Sequence, residues 1–397
     1  MKDEHVILRL KRPITRDIFL GGATVKNLES FISELTVEID NLDRRSIPSI
    51  ARSNDVVAFA PVMPMKLVSP FNVHDVVATA SPKVAWGIKA VGADQTSLTG
   101  NGVVVAVLDT GIDRTHPAFA GVQLIEKDFT GEGNGDKNGH GSHCAGTIFG
   151  RDVDNMRIGV ARGVTRALIG KVIGEDSGSS AGIVEAIHWA SQNGANVISM
   201  SLGIDFPGFV ERLVNGGMLP ALATAKALEA YRANVQLFEK MAQFIKAGSP
   251  FFQTTLLVAA AGNESRRDEN ADFEIGVSPP AVSDGFVSVA ALSEGPTGLF
   301  KVAPFSNTGA MVSAPGVNVI SAKSGGGLAS MSGTSMATPH AAGVAALWAE
   351  KLRNSGSLNP ASLAAQLIAS GDTARMVKGF DPFDVGTGMI QVPTEVV

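Results

Sequence analysis

Apolar and polar positions fall into two textures along this chain. Over residues 1–75, short apolar runs alternate with polar stretches: HVILRL (5–10), SELTVEI (33–39) and VVAFAPV (56–62), with helical spacing around Val25 to Leu35. Such a pattern predicts a small α+β unit. The next stretch, APVMPMKLVSPF (60–71), is interrupted by Pro61, Pro64 and Pro70. Proline lacks a backbone N–H and resists helix, so this piece reads as an extended connector or edge strand.

From about Val84 the spacing changes. VVVAVLD (103–109), RALIGKVIG (166–174), ANVISMSLG (195–203), TTLLVAAAGN (254–263) and FVSVAAL (286–292) are almost continuously apolar. HGSHCAGTIFG (140–150) and AGIVEAIHWASQNG (181–194) between them carry helical spacing, the second closed by Gly194. Uniformly apolar strands alternating with helices predict a mostly parallel central sheet with helices on both faces, an α/β fold. The small α+β amino-terminal domain (1–75) then precedes a larger α/β domain (76–397). Between Ile204 and Thr254 lies an insert, of which residues 219–248 have helical periodicity ended by Gly248 and Pro250.

Composition narrows the class. With 397 residues, 45% of them hydrophobic and 18% charged, the chain can bury a large core. The net charge is −5 and no Lys/Arg block occurs, which argues against a nucleic-acid surface or a polybasic membrane anchor. The start, MKDEHVILRLKRPITRD, mixes both charge signs, and no run of 18 apolar residues follows. One cysteine, Cys144, excludes an internal disulfide. These features together predict a cytoplasmic protein.

In an open parallel sheet, ligands bind beyond the carboxyl ends of the strands. Asp109 ends one strand run, His140 opens a helix between Gly139 and Gly141, and Ser335 stands at the start of a helix in GTSMATPHAAG. A serine hydroxyl becomes nucleophilic when an imidazole takes its proton, and the imidazole needs a carboxylate to fix its tautomer. Each residue type is present once. An alternative centres on metal: His140 and His143 form an i, i+3 pair, though no third zinc ligand accompanies them. The GEGNGDKNG loop (131–139) reads as a solvated turn.

DTGID, HGSHCAGT and GTSMATPHAAG resemble the three active-site motifs of the subtilisin-like serine proteases, the subtilases. The resemblance runs from about Val84 to Val392 and takes in SMSLG, AAAGN and FSNTGAMVSAPG. It implies that Asp109 orients, His140 acts as base and then acid, and Ser335 attacks, in the chain order of subtilisin itself. Asn263 would donate to the oxyanion with the Ser335 N–H. Ser201, Leu202 and Gly203, facing Gly178, would pair with an extended protein or peptide substrate, over a pocket floored by Ala261 and Gly262. Cys144 matches a cysteine of the proteinase K branch, read as a small buried hydrophobe whose modification would disturb His140. The family's first calcium site usually takes an Asp after His-Pro; here Ala118 and Phe119 follow His116 and Pro117, and Arg157 adds positive charge to the loop beyond the histidine helix. The usual first site for a structural calcium is thus expected to be impaired at Ala118; no cofactor is required for the reaction, and none of the site residues is read as a metal ligand.

Residues 1–75 resemble a subtilase prodomain whose tail enters the cleft. The resemblance implies a zymogen, inhibited intramolecularly by its own amino-terminal unit and cleaving itself between about Lys66 and His74. A permanent accessory domain with a proline-rich linker is the alternative. For the whole chain the leading expectation is an endopeptidase; the alternative is a catalytically silent protein that holds a peptide in the same cleft.

Overall fold

The computed structural model describes residues 2–10, 35–43, 45–76, 83–175, 178–248, 253–295 and 297–393. At the amino terminus β1 (Lys2–Leu10) lies between β2 (Leu35–Asp43) and β3 (Val56–Pro61), antiparallel to both. Val6, Leu8, Leu35 and Ala60 turn one face of this sheet inward. The helix expected around Val25 to Leu35 falls outside the described residues except at Leu35, which begins β2.

The proline-punctuated stretch forms two strands, β4 (Pro64–Leu67) and β5 (Phe71–Val76). The expectation of a connector or edge is corrected here: β4 is the middle strand of a three-stranded sheet. Pro64 is tolerated because it is the first residue of the strand, where a missing donor leaves no ladder bond unmade.

Eight strands form the central sheet. In chain order, β6 (Val104–Asp109), β7 (Gln123–Asp128), β8 (Arg166–Lys171), β10 (Val197–Met200), β12 (Leu256–Ala260) and β13 (Phe286–Glu294) stand in spatial order β13-β12-β10-β6-β8-β7, all parallel. β14 (Phe300–Val302) runs antiparallel beside β13, and β15 (Val312–Pro315) also pairs with β13. β8 lies on one side of β6 and β10 on the other. The crossovers therefore diverge beyond Asp109, the last residue of β6, and leave a crevice there.

Helices cover both faces. α1 (His140–Phe149) and α5 (Thr334–Asn354) pack together on one side, each almost wholly buried. On the other side lies α2 (Ser180–Gln192), capped by the Ser179 hydroxyl on Gly182 N–H at 3.1 Å. The insert supplies α3 (Phe206–Asn215) and the long α4 (Pro220–Gly248), close to its expected span. α4 buries Ala223, Ala227, Ala230, Asn234, Leu237 and Met241, spaced by three or four as one helical face requires. It packs against β3 and α2, so the insert joins the amino-terminal sheet to the main body.

Two small sheets complete the crevice. β9 (Gly178–Ser179) and β11 (Leu202–Ile204) flank β4, and the hairpin β16 (Val319–Ala322) with β17 (Leu328–Ser332) carries β5 on its outer edge.

Candidate active site

Asp109, His140 and Ser335 meet at the crevice with 1%, 1% and 0% exposure, shielded from bulk solvent. His140 Nδ1 lies 2.7 Å from Asp109 Oδ1, which also accepts the Thr110 N–H at 2.8 Å. Burial by itself would lower the His140 pKa; the Asp109 charge and hydrogen bond outweigh it and hold the imidazole well above its usual 6.5. His140 Nε2 is buried and has no hydrogen-bond partner among the described residues.

Backbone permissiveness brings these groups close. Gly111 has φ +107°, and a Cβ on Gly141 would stand 2.2 Å from the Gly111 carbonyl oxygen. Only glycine lets the turn after Asp109 touch the first turn of α1. The loop before α1 is not simply solvated, which corrects that expectation. Asp136 is 8% exposed, and its carboxylate accepts from Thr110 Oγ1, Gly139 N–H, Ser142 N–H and Ser142 Oγ at 2.7–2.8 Å. It thereby ties the Asp109 turn to the His140 helix. No sequence motif marked it, because a carboxylate among glycines and asparagines looks exposed.

Ser335 opens α5, and its hydroxyl donates to the Val68 carbonyl oxygen at 2.8 Å. Asn263 Nδ2 donates to the next carbonyl, that of Ser69, at 3.0 Å, while its Oδ1 accepts from Thr334 N–H and Oγ1. Gly262, at φ +115°, turns the chain from β12 into Asn263 and donates its N–H to Thr334 Oγ1 at 3.2 Å. Ala261 is fully buried just before it.

β4 threads between the two expected strands. Met65 and Pro64 face Gly178 and Ser179 on one side; Leu67, Lys66 and Met65 face Leu202, Gly203 and Ile204 on the other, both antiparallel. Val68 N–H continues the ladder to the Ser201 carbonyl at 3.4 Å. Beyond the serine, β5 pairs with β17, with Phe71 stacked on Phe305 at 5.0 Å. The chain thus crosses the serine unbroken, held on both sides.

Cys144 packs with its Sγ 3.8 Å from His140 Nδ1 and 3.4 Å from the Ser335 carbonyl oxygen, and burial pushes its thiol pKa up. The metal alternative, which paired His140 with His143, is not supported by His143, whose Nε2 lies 3.1 and 3.2 Å from the Val319 and Ala329 carbonyls. Among the described residues, Asp109, His140 and Cys144 are the one group whose ligand atoms lie within reach of a shared ion. The Asp109 and His140 atoms concerned are already hydrogen-bonded to each other.

The calcium position can be judged from its donors. Ala118 is fully buried, His116 Nε2 lies 2.8 Å from the Gly327 carbonyl, and Val153, Met156 and Ile158 turn into the core. Arg151 donates to the Phe149 and Val164 carbonyls at 2.8 and 2.9 Å, and Arg157 to the Ala93 carbonyl at 2.7 Å. Apolar side chains and guanidinium groups do not fit a hard cation that takes six to eight oxygens.

Residues 100–386 match the Subtilase family. Among similar proteins, the Thermostable alkaline protease of Halalkalibacterium halodurans is 35% identical over 277 residues, covering 68% of this chain and 63% of that protein. The M-protease of Shouchella clausii is 35% identical over 285 residues, covering 69% and 62%. The Subtilisin-like serine protease Pen c 1 of Penicillium citrinum is 33% identical over 280 residues, covering 66% and 58%. The matches span about three fifths of the length of these relatives. With the motifs meeting at one buried crevice of a mainly parallel sheet, the chain belongs to the subtilase family.

Proposed function

We propose that this protein is a serine endopeptidase made as a self-inhibited zymogen. One observation carries the reading: the chain's own segment lies antiparallel between β9 and β11, as a substrate would, with the Val68 carbonyl on the Ser335 hydroxyl. In the reaction, Ser335 Oγ attacks the carbonyl carbon while its proton passes to His140 Nε2, and Asp109 stabilises the imidazolium. Asn263 Nδ2 and the Ser335 N–H hold the oxyanion. The C–N bond breaks, His140 protonates the leaving amine, and water activated by His140 frees the acyl group. Substrates are proteins or peptides in extended form.

In this reading the resting arrangement keeps the intact chain slow. The Ser335 proton points to the Val68 carbonyl and His140 Nε2 is unengaged, so base and nucleophile are uncoupled. Asn263 holds the Ser69 carbonyl, one residue beyond the one that the strand register offers. That contact must pass from the Ser69 to the Val68 carbonyl, with the strand register unchanged, before the Val68–Ser69 bond can be cut. Residues 1–68 would then be the inhibitory unit, docked on α2 and α4.

Incubating the purified chain and measuring intact mass tests this. Fragments 1–68 and 69–397 from the wild type, with an uncut Ser335→Ala chain, are expected. A wild type that stays whole and hydrolyses no peptide would favour the silent peptide-binding alternative.

A further inference from the structure

We propose that the cleft reads substrate to eight residues before the cut, through Ser180 at the sixth position and Asn234, on the insert helix, at the eighth. The inference rests on the protease reading and extends it to specificity. Counting back from the Val68–Ser69 bond, Met65 is fourth, Met63 sixth and Pro61 eighth. Past β4 the regular ladder ends, yet the chain stays held. Ser180 clamps Met63 from both sides: its hydroxyl accepts the Met63 N–H at 3.0 Å, and its own N–H donates to the Met63 carbonyl at 2.9 Å. Asn234 Nδ2 donates to the Pro61 carbonyl at 2.8 Å. Nearer the cut, at the fifth position, the Asp205 N–H donates to the Pro64 carbonyl at 2.9 Å.

These contacts use main-chain atoms of the bound segment, so they are open to any extended peptide that reaches them. Side-chain selection is added at Met63, which is fully buried in one apolar cluster with Ile173, Ala181, Ile204 and Leu237. A polar residue at the sixth position would lose hydration there without a partner. Asn234 is itself fully buried, and its Oδ1 has no hydrogen-bond partner among the described residues. The substrate class is therefore a long extended segment with an unbranched apolar side chain six residues before the cut.

The test uses the processed enzyme and three acetylated aminocoumarin peptides copied from the bound segment: MKLV, MPMKLV and PVMPMKLV. Each added pair should raise kcat/KM about fivefold, mainly through KM, as one or two net backbone hydrogen bonds would. Ser180→Ala, which removes the hydroxyl and keeps the backbone N–H, should cut the gain from the four-residue to the six-residue peptide about in half on a logarithmic scale, and Asn234→Ala should erase the gain from six to eight. The readout is the ratio between peptides within each variant, which a general loss of fold would leave intact. Equal kcat/KM across the series, or ratios unchanged in the variants, would overturn the proposal and leave Ser180 and Asn234 as fixtures of the amino-terminal unit. No turnover even of MKLV would overturn the protease reading itself.

Discussion

At the scale of single residues, chemistry at His140 is set by two opposing influences, burial and Asp109, and Asp109 wins. A general base works only when neutral, so kcat/KM of the processed enzyme should rise with pH, with its midpoint above the ordinary imidazole value near 6.5. Asp109→Asn should move that midpoint down and cut kcat steeply; a midpoint unmoved by the substitution would mean that Asp109 does not govern the base. Asn263→Ala should lower kcat by about 10² to 10³ with little change in KM, the size known for the oxyanion amide of subtilisin, the type case. The triad and Asn263 were legible in the sequence because each lies in a short motif whose glycines, prolines and strand ends announce a sharp turn. Asp136, Ser180 and Asn234 were not legible. Asp136 lies within a few residues of Gly139 and Ser142 but sits in a loop that looks solvated, while the partners of Ser180 and Asn234 lie 117 and 173 residues away in the chain.

At the scale of elements, apolar periodicity foretold β6, β8, β10, β12 and β13 and the helix of the insert, since burial on both faces leaves little polar interruption; it missed the edge strand β7, whose residues are partly exposed. It misjudged the proline-rich stretch, where pairing partners are supplied by β9 and β11 and local propensity is overridden. The loop after α1 shows the same dominance of tertiary context. Arg151 and Arg157 pin it through backbone carbonyls. Amide hydrogen exchange across residues 150–159 of the Ser335→Ala chain should be the same with calcium or with a chelator. Arg151→Ala should speed it, at a cost of about 1–3 kcal/mol for the two bonds lost. Faster exchange in the Ser335→Ala chain on chelation would return an ion to this loop.

On the scale of the whole molecule, the amino-terminal sheet, the insert and the catalytic-type body form one packed unit, bridged by Asn234 on Pro61 and by an ion pair of Lys226 with Asp3 at 2.8 Å. Its acid stability follows from two buried imidazoles. Burial lowers His143 to about 3 and His340 to about 4, whereas in the unfolded chain both titrate near 6.5. Unfolded chains therefore bind more protons below 6.5, and the stabilisation present above that value is lost as pH falls toward 4. His140 acts oppositely: its raised pKa stabilises the fold below 6.5, and that contribution is lost only as pH climbs through the raised value. The unfolding temperature of the Ser335→Ala chain should fall from pH 6.5 to pH 4, and His340→Asn should flatten the fall. A slope unaffected by the substitution would place the acid sensitivity elsewhere.

All of this rests on Ser335 as a nucleophile that its own chain covers until a cut is made. Intact-mass measurement after exposure to a fluorophosphonate addresses it most directly. The account predicts one adduct, mapped to Ser335, on the processed fragment 69–397, none on the full-length chain, and none in Ser335→Ala. A processed chain that takes up no probe, or an adduct that persists in the alanine variant, would contradict it.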